Sequence, residues 1–166
     1  MHEPDPALVS RTVPSPVGDL VVVASPNGIV AILWPDDRPV RAGMTGTPLP
    51  GESELLDLAE AQLAEYFAGE RTTFDLPLDL RGTEFQQAVW EELRTVPYGT
   101  TVGYGELAAA IGRPTAARAV GAAVGRNPVS IVVPCHRVIG ADGSLTGFAG
   151  GLDAKHTLLR LEAQGR

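Results

Sequence analysis

Short runs of branched apolar residues dominate the start of the chain, and apolar stripes at three- and four-residue steps dominate the rest. Residues 11–16 and 20–25 flank the turn Val17-Gly18-Asp19, and 29–34 follow Ser25-Pro26-Asn27-Gly28. Their Val and Ile content predicts strands. The Pro-, Gly- and Thr-rich stretch 35–51 reads as a long loop. Residues 52–68 read as a helix, with Leu55, Leu56, Ala59, Leu63 and Phe67 on one side and Gly69 ending the run. No motif in residues 1–80 names a chemistry, so this half is expected to be a scaffold domain, with its border in 77–82.

Residues 81–166 form the second expected domain, and helical signals crowd it. Thr83-Glu84-Phe85-Gln86 fits a capping box, with Thr83 as N-cap and Gln86 at N3. Phe85, Ala88, Val89, Leu93 and Val96 continue as an apolar stripe, which Pro97-Tyr98-Gly99 closes. A short helix is predicted over 104–111, with Tyr104, Leu107, Ala108 and Ile111 on one face. Gly112-Arg113-Pro114 then turns the chain, and Thr115 is the expected cap of a second helix running to about Gly125. Two short helices around a Gly turn fit a helix-turn-helix, as any helical hairpin would. The second helix has an expected inward face of Ala116, Ala119, Val120 and Ala123. Its opposite face is Ala117, Arg118, Gly121, Ala122 and Gly125, where Lys, Glu or Gln would be better helix formers. Small residues let a backbone lie against a partner, either nucleic acid or another helix, with Arg118 projecting from the smooth face.

Composition removes several classes of function. One cysteine in 166 residues excludes an intramolecular disulfide and a cysteine-built zinc cage. The longest apolar runs, 20–24 and 29–34, fall far short of the ~18–20 residues of a membrane span. Met1-His2-Glu3-Pro4-Asp5-Pro6 has no basic or hydrophobic leader character, so the cytoplasm is the expected compartment. The net charge of −7 argues at first against nucleic acid. It is unevenly spread. Residues 1–80 hold 4 Arg against 13 acidic residues, whereas 81–166 hold 9 basic against 7 acidic. Between Glu106 and Asp142 there is no acidic residue, while Arg113, Arg118, Arg126 and Arg137 all fall there, an electrostatic footprint for an anion.

Candidate chemistry lies inside that window. Residues 129–133 are continuously apolar and read as a short strand buried on both sides, stopped by Pro134. Cys135 and His136 follow, a thiol beside an imidazole, the pairing that activates cysteine. In an extended chain the two side chains would diverge, so His136 serves Cys135 only if the chain bends sharply after Pro134, or through a water. A buried inert cysteine is the competing reading. In the C-terminal helix, 152–164, Glu162 lies four residues after Leu158 and three after Leu159, over the apolar face, where a carboxylate needs a partner.

Pro134-Cys135-His136-Arg137-Val138-Ile139-Gly140, preceded by Asn127-Pro128, resembles the active-site signature of the O6-alkylguanine-DNA alkyltransferases. The resemblance runs from about Thr83 to Glu162 through Phe85-Gln86-Gln87-Ala88-Val89-Trp90, Pro97-Tyr98-Gly99, Tyr104-Gly105-Glu106-Leu107-Ala108, Ala117-Arg118-Ala119-Val120-Gly121 and Gly150-Gly151-Leu152. It implies an α+β protein: a small ribonuclease H-like sheet-plus-helix domain, then a mostly helical, winged-helix-like domain with a DNA-binding helix-turn-helix. The activity implied is irreversible transfer of an alkyl group from guanine O6 in double-stranded DNA to Cys135, without cofactor or metal, by a monomer whose cooperativity on DNA is left open. Under the same resemblance Tyr104 rotates the lesion out and Arg118 fills the vacated stack. Ala117, Gly121, Arg126 and Arg137 belong to the DNA-binding set, and Asn127 ties the recognition helix to the active-site turn. His136 reaches Cys135 through a water and leans on Glu162. The base pocket is the loop 146–151, Gly150 included, read with the carbonyls of Cys135 and Val138, and Lys155 lies beside it. Phe148 and Ala149 depart from hydroxyl-bearing residues in relatives, which removes donors near the leaving oxygen. The alternative is a non-catalytic alkyltransferase-like binder of damaged DNA. Such proteins lack the cysteine of this motif, which is present here.

Overall fold

The structure, a computed structural model, describes residues 4–35, 37, 47–140, 143 and 148–164. Its first half is a four-stranded sheet of β1 (Pro4–Val13), β2 (Leu20–Ser25), β3 (Gly28–Leu33) and β4 (Thr47–Pro50), in the order β3-β2-β1-β4. β1, β2 and β3 pair antiparallel, and β4 runs parallel to β1. β4 corrects the expected loop over 35–51, most of which lies outside the described residues. β3 is buried along its whole length and β2 at every residue but Val21, because both sheet faces are covered. One face packs on α1 (Glu54–Phe67), which Ser53 caps by accepting hydrogen bonds from the Leu55 and Leu56 amides. The buried stripe of α1 is Leu56, Ala59, Gln62, Leu63 and Tyr66. Leu55 and Phe67, expected on that face, are half-buried.

The free edge of β3 positions the site. Ile29 donates to Pro77 O and accepts from the Asp79 amide, both at 2.8 Å, while Ile32 donates to Pro128 O at 3.0 Å. Two later segments thus cover an edge that would otherwise be unpaired. Gly28 is required at this crossing, since a Cβ there would stand 2.8 Å from the backbone of Pro77 and Leu78. Pro128 opens the buried segment 129–133 that leads into the cysteine-bearing turn, so the sheet anchors that segment through backbone.

The second half packs α2 (Glu84–Leu93), α3 (Tyr104–Ala110) and α4 (Ala117–Gly125) against one another. The Thr83–Gln86 capping box opens α2 as the sequence predicts. Trp90 Nε1 donates to Ala123 O at 2.9 Å, locking α2 to α4. Thr115 does not cap α4; its N-cap is Ala116, with no side-chain bond. The buried side of α4 is Val120, Ala123 and Val124, while Ala119 is exposed, so the smooth face is rotated toward Arg118, Ala119, Ala122 and Gly125. A two-residue parallel ladder joins β5 (Val102–Gly103) to β6 (Val138–Ile139), and α5 (Leu152–Gln164) ends the described chain. No helix among the described residues is long and apolar enough to cross a membrane.

Candidate active site

Residues 129–133 are buried as expected, but they are not a strand. Ile131 has φ 76°, alone among the described non-glycine residues in the left-handed region. The Val132 amide donates to Ser130 O at 2.9 Å, closing a γ-turn about Ile131. The Cys135 amide donates to Val133 O at 2.8 Å across Pro134, whose φ of −81° and ψ of 64° make the inverse turn. Backbone this strained costs on the order of 1–3 kcal/mol and needs a clamp. Asn127 supplies it: its Nδ2 donates to Val133 O at 2.8 Å and its Oδ1 accepts from the Val129 amide at 3.0 Å. The chain therefore bends sharply after Pro134 into a single 3-10 turn, Cys135–Arg137.

Behind that turn is a buried carboxylate with four partners. Glu162 Oε2 accepts from His136 Nε2 at 2.6 Å, Tyr66 OH at 2.6 Å and Arg137 Nη2 at 2.9 Å. Its Oε1 accepts from Arg137 Nε at 2.8 Å and the Gly99 amide at 3.4 Å. Burial alone would raise this carboxyl, but the hydrogen bonds from His136, Arg137 and Tyr66 outweigh it and hold the group well below the usual carboxylate range. An ionised carboxylate only accepts, so His136 Nε2 carries the proton and Nδ1 bears the lone pair. Nδ1 is buried and has no hydrogen-bond partner among the described residues. Burial pushes the His136 imidazolium below its ordinary value of 6.5; Glu162 opposes this, and the charges of Arg137 and Lys155 add to it. The ring is neutral at pH 7 and basic at Nδ1.

Cys135 lies almost buried at a narrow pocket lined by Val124, Gly125, Asn127, Ser130, Phe148 and Ala149. The smooth face of α4 thus runs out at Gly125 onto the cysteine. Lys155 is buried on α5, with its Nζ donating to Val138 O at 2.6 Å. Burial lowers its ammonium, and the negative charge that Cys135 carries when ionised opposes this. The Val138 carbonyl is therefore shared between Lys155 and any incoming donor, and the Cys135 carbonyl already accepts from the Val138 amide. Phe148 stands edge-on to Trp34, centroids 5.3 Å apart, and a Cβ on Gly150 would meet the Trp34 ring at 2.5 Å. Thr146 and Gly147 of the expected base loop lie outside the described residues.

On the hairpin, the Tyr104 ring lies over Gly121, where a Cβ would sit 3.5 Å from it. Ala117 and Gly121 are half-buried, and Arg113, Arg118 and Arg126 are exposed. Arg137 is not. Beyond its two bonds to Glu162, its Nη1 donates to Val96 O at 2.6 Å and its guanidinium lies 5.7 Å from the centroid of the Tyr98 ring. Its assignment to the DNA-binding set is corrected: the charge is spent on a buried carboxylate, and the basic face has three arginines from that window. Sequence reasoning also passed over Tyr66, Ser130 and Trp34, whose Nε1 donates to Ser130 Oγ at 3.1 Å. A signal for Tyr66 existed, since it continues the Leu56-Ala59-Leu63 stripe and a buried phenol needs a partner. Among the described residues no group of three or more His, Cys, Asp or Glu is placed to hold a metal ion.

Cys135 at the end of a hairpin's small-residue face, followed in the chain by an imidazole that a buried carboxylate holds, has the residue types from which a thiol nucleophile of the triad kind is built. Two family profiles match the chain: the ribonuclease-like domain of 6-O-methylguanine DNA methyltransferase over residues 8–80, and its DNA binding domain over 84–164. A methylated-DNA–protein-cysteine methyltransferase of Mycolicibacterium paratuberculosis is 54% identical over 155 residues, covering 92% of this chain and 90% of the relative. The crystal structure of Mycobacterium tuberculosis O6-methylguanine methyltransferase superposes with a TM-score of 0.84 at 49% identity, covering 96% of this chain and 94% of that one. The Mycobacterium tuberculosis OGT in complex with DNA gives 0.82 at 48% identity, covering 94% and 93%. The chain belongs to the 6-O-methylguanine DNA methyltransferase family. It has the two-part α+β architecture of that family, a small sheet domain followed by a helical DNA-binding domain.

Proposed function

We propose that this chain repairs alkylated DNA by binding the duplex, flipping an O6-alkylguanine into the pocket at Cys135 and taking the alkyl group onto Sγ. The observation that carries this reading is the junction of the smooth face of α4 with a pocket holding Cys135, backed by the His136–Glu162 pair. The target atom is stacked inside a duplex, so extrusion must precede transfer. Ala and Gly on α4 allow close approach in a groove, Arg118 enters the space the base leaves, and Tyr104 turns the backbone. His136 Nδ1, directly or through one water, accepts the thiol proton, and the charge of Lys155 favours the thiolate. Sulfur then forms its bond to the alkyl carbon as the bond to O6 breaks. The purine leaves as an anion and recovers a proton to become guanine. Phe148 supplies a wall without a hydroxyl, so backbone donors and Lys155 carry the stabilisation of the leaving oxygen. The thioether holds the alkyl group, and each molecule acts once.

Excess methylated duplex is expected to give one methyl transferred per chain and no more. Repeated turnover, or binding without transfer, would remove this reading, the second outcome favouring a damage binder. Arg118→Ala separates flipping from chemistry. With one of the hairpin's three exposed arginines gone, duplex affinity should fall about three- to tenfold and the salt dependence should flatten by roughly one unit of slope. The rate with an O6-alkylguanine base alone should stay the same. Equal losses with both substrates would place Arg118 in the pocket instead.

A further inference from the structure

We propose that Tyr66, on α1 of the sheet half, is a positioning residue for the transfer chemistry: its hydroxyl donates to the same Glu162 oxygen that holds His136, and so sets how strongly that oxygen draws on the imidazole. The inference rests on the reading of His136 as the base for Cys135.

Three donors converge on Glu162 Oε2, with Tyr66 and His136 each at 2.6 Å and Arg137 Nη2 at 2.9 Å. Arg137 already grips both oxygens and, with Gly99, fixes the plane of the carboxylate. Tyr66 is therefore not needed to place Glu162. What it adds is a third claim on the charge of one oxygen. Burial, then the charge of Glu162, holds the phenol protonated far above its usual value, so it acts as a permanent donor. Its ring is fixed by Phe67, Phe74 and Tyr98, with centroids 5.2, 5.4 and 6.2 Å away. The remaining charged groups acting on His136 are Arg137 on its own turn and Lys155 on α5; Tyr98, in the loop after α2, faces Glu162 and Arg137, and Cys135 faces Lys155. None of these donates to Oε2 except Arg137. Hydrogen bonds shared on one acceptor weaken one another's pull, so removing the phenol proton leaves more of the charge of Oε2 to the imidazolium.

The expected consequence has a definite sign. In Tyr66→Phe the ring stays and only the donor is lost. His136 should become more basic, with its pKa rising by about half a unit to one unit. The limb of the transfer rate on the acid side, where His136 must be neutral, then moves to higher pH by the same amount. Below that limb the variant should be about three- to tenfold slower, and above it the two proteins should converge. Two measurements test this on the full chain: the pH profile of methyl transfer from a methylated duplex, and direct NMR titration of the His136 ring nitrogens. A rate lowered equally at every pH, or an unmoved His136 titration, would overturn the role and leave Tyr66 a packing residue. If the unmutated chain transfers nothing, the proposed function fails, and the His136 titration still decides the case of Tyr66.

Discussion

Cys135→Ser is expected to abolish transfer completely while leaving binding to methylated duplex within about twofold of the unmutated chain. The two side chains are close in size, and Cys135 sits at the pocket mouth with only 5% of its surface exposed, so the strained turn clamped by Asn127 should persist. What changes is the acid. Thiols ionise near pH 8.5 and lower beside cations, whereas a serine hydroxyl gives no useful alkoxide against a neutral imidazole. No third group on the described chain is placed to activate it as the buried Lys155 and His136 favour a thiolate. Gel-shift titration alongside single-turnover assay separates the two effects. Residual transfer above background would mean another nucleophile.

Glu162→Gln should be nearly as damaging, by a different route. The amide can present its N–H to His136, which then offers Nδ1–H toward the cysteine instead of a lone pair. A wrong tautomer removes general-base assistance, a loss of roughly 10²–10⁴ in rate. Arg137, buried with two hydrogen bonds on this carboxylate, is left with an uncompensated charge, which costs about 3–5 kcal/mol. Adding Arg137→Met should recover much of the thermal stability without recovering transfer. Recovery of both would mean that Glu162 is structural only. The same group shapes the acid response. Its folded-state pKa lies below the ordinary 4.5, so its contribution is fully present above that value and drains away as pH falls through the lower one. His136, shifted down from 6.5, binds fewer protons folded than unfolded, so stability begins to fall as pH drops below 6.5.

Much of the helical half was legible because its signals are local. A capping box, a glycine turn and an apolar stripe each operate within a few residues, and Thr83 with Gln86 behaves as its spacing predicts. Glu162 could be suspected for the same reason, as a carboxylate on the stripe of Leu158. What escaped depends on distant partners. Counting charge along the chain cannot distinguish Arg118, exposed on α4, from Arg137, buried on a carboxylate 25 residues away. An apolar run such as 129–133 reports burial without reporting extension, and here a left-handed Ile131 folds it back. Thr115 has the right chemistry for a cap but sits one residue too early for α4. Tyr66 reads as one more stripe residue until α5 brings Glu162 to it from 96 positions on. No motif in the sheet half names a chemistry, yet it supplies Tyr66 to the carboxylate and Trp34 to the wall behind Phe148.

The acidic net charge is reconciled with a DNA partner by where the charges lie. Acidic residues concentrate in 1–80, and the exposed arginines 113, 118 and 126 stand on the hairpin. Three cations imply modest, salt-sensitive binding with little sequence preference, which suits a search for rare lesions.

The most direct test of Cys135 as the acceptor is intact-mass spectrometry with peptide mapping after incubation with a duplex carrying one O6-methylguanine. The expected result is a gain of one methylene per chain, confined to the peptide holding Cys135 and saturating at a single addition. Restored guanine with Cys135 unmodified, or a methyl group on any other residue, would contradict it.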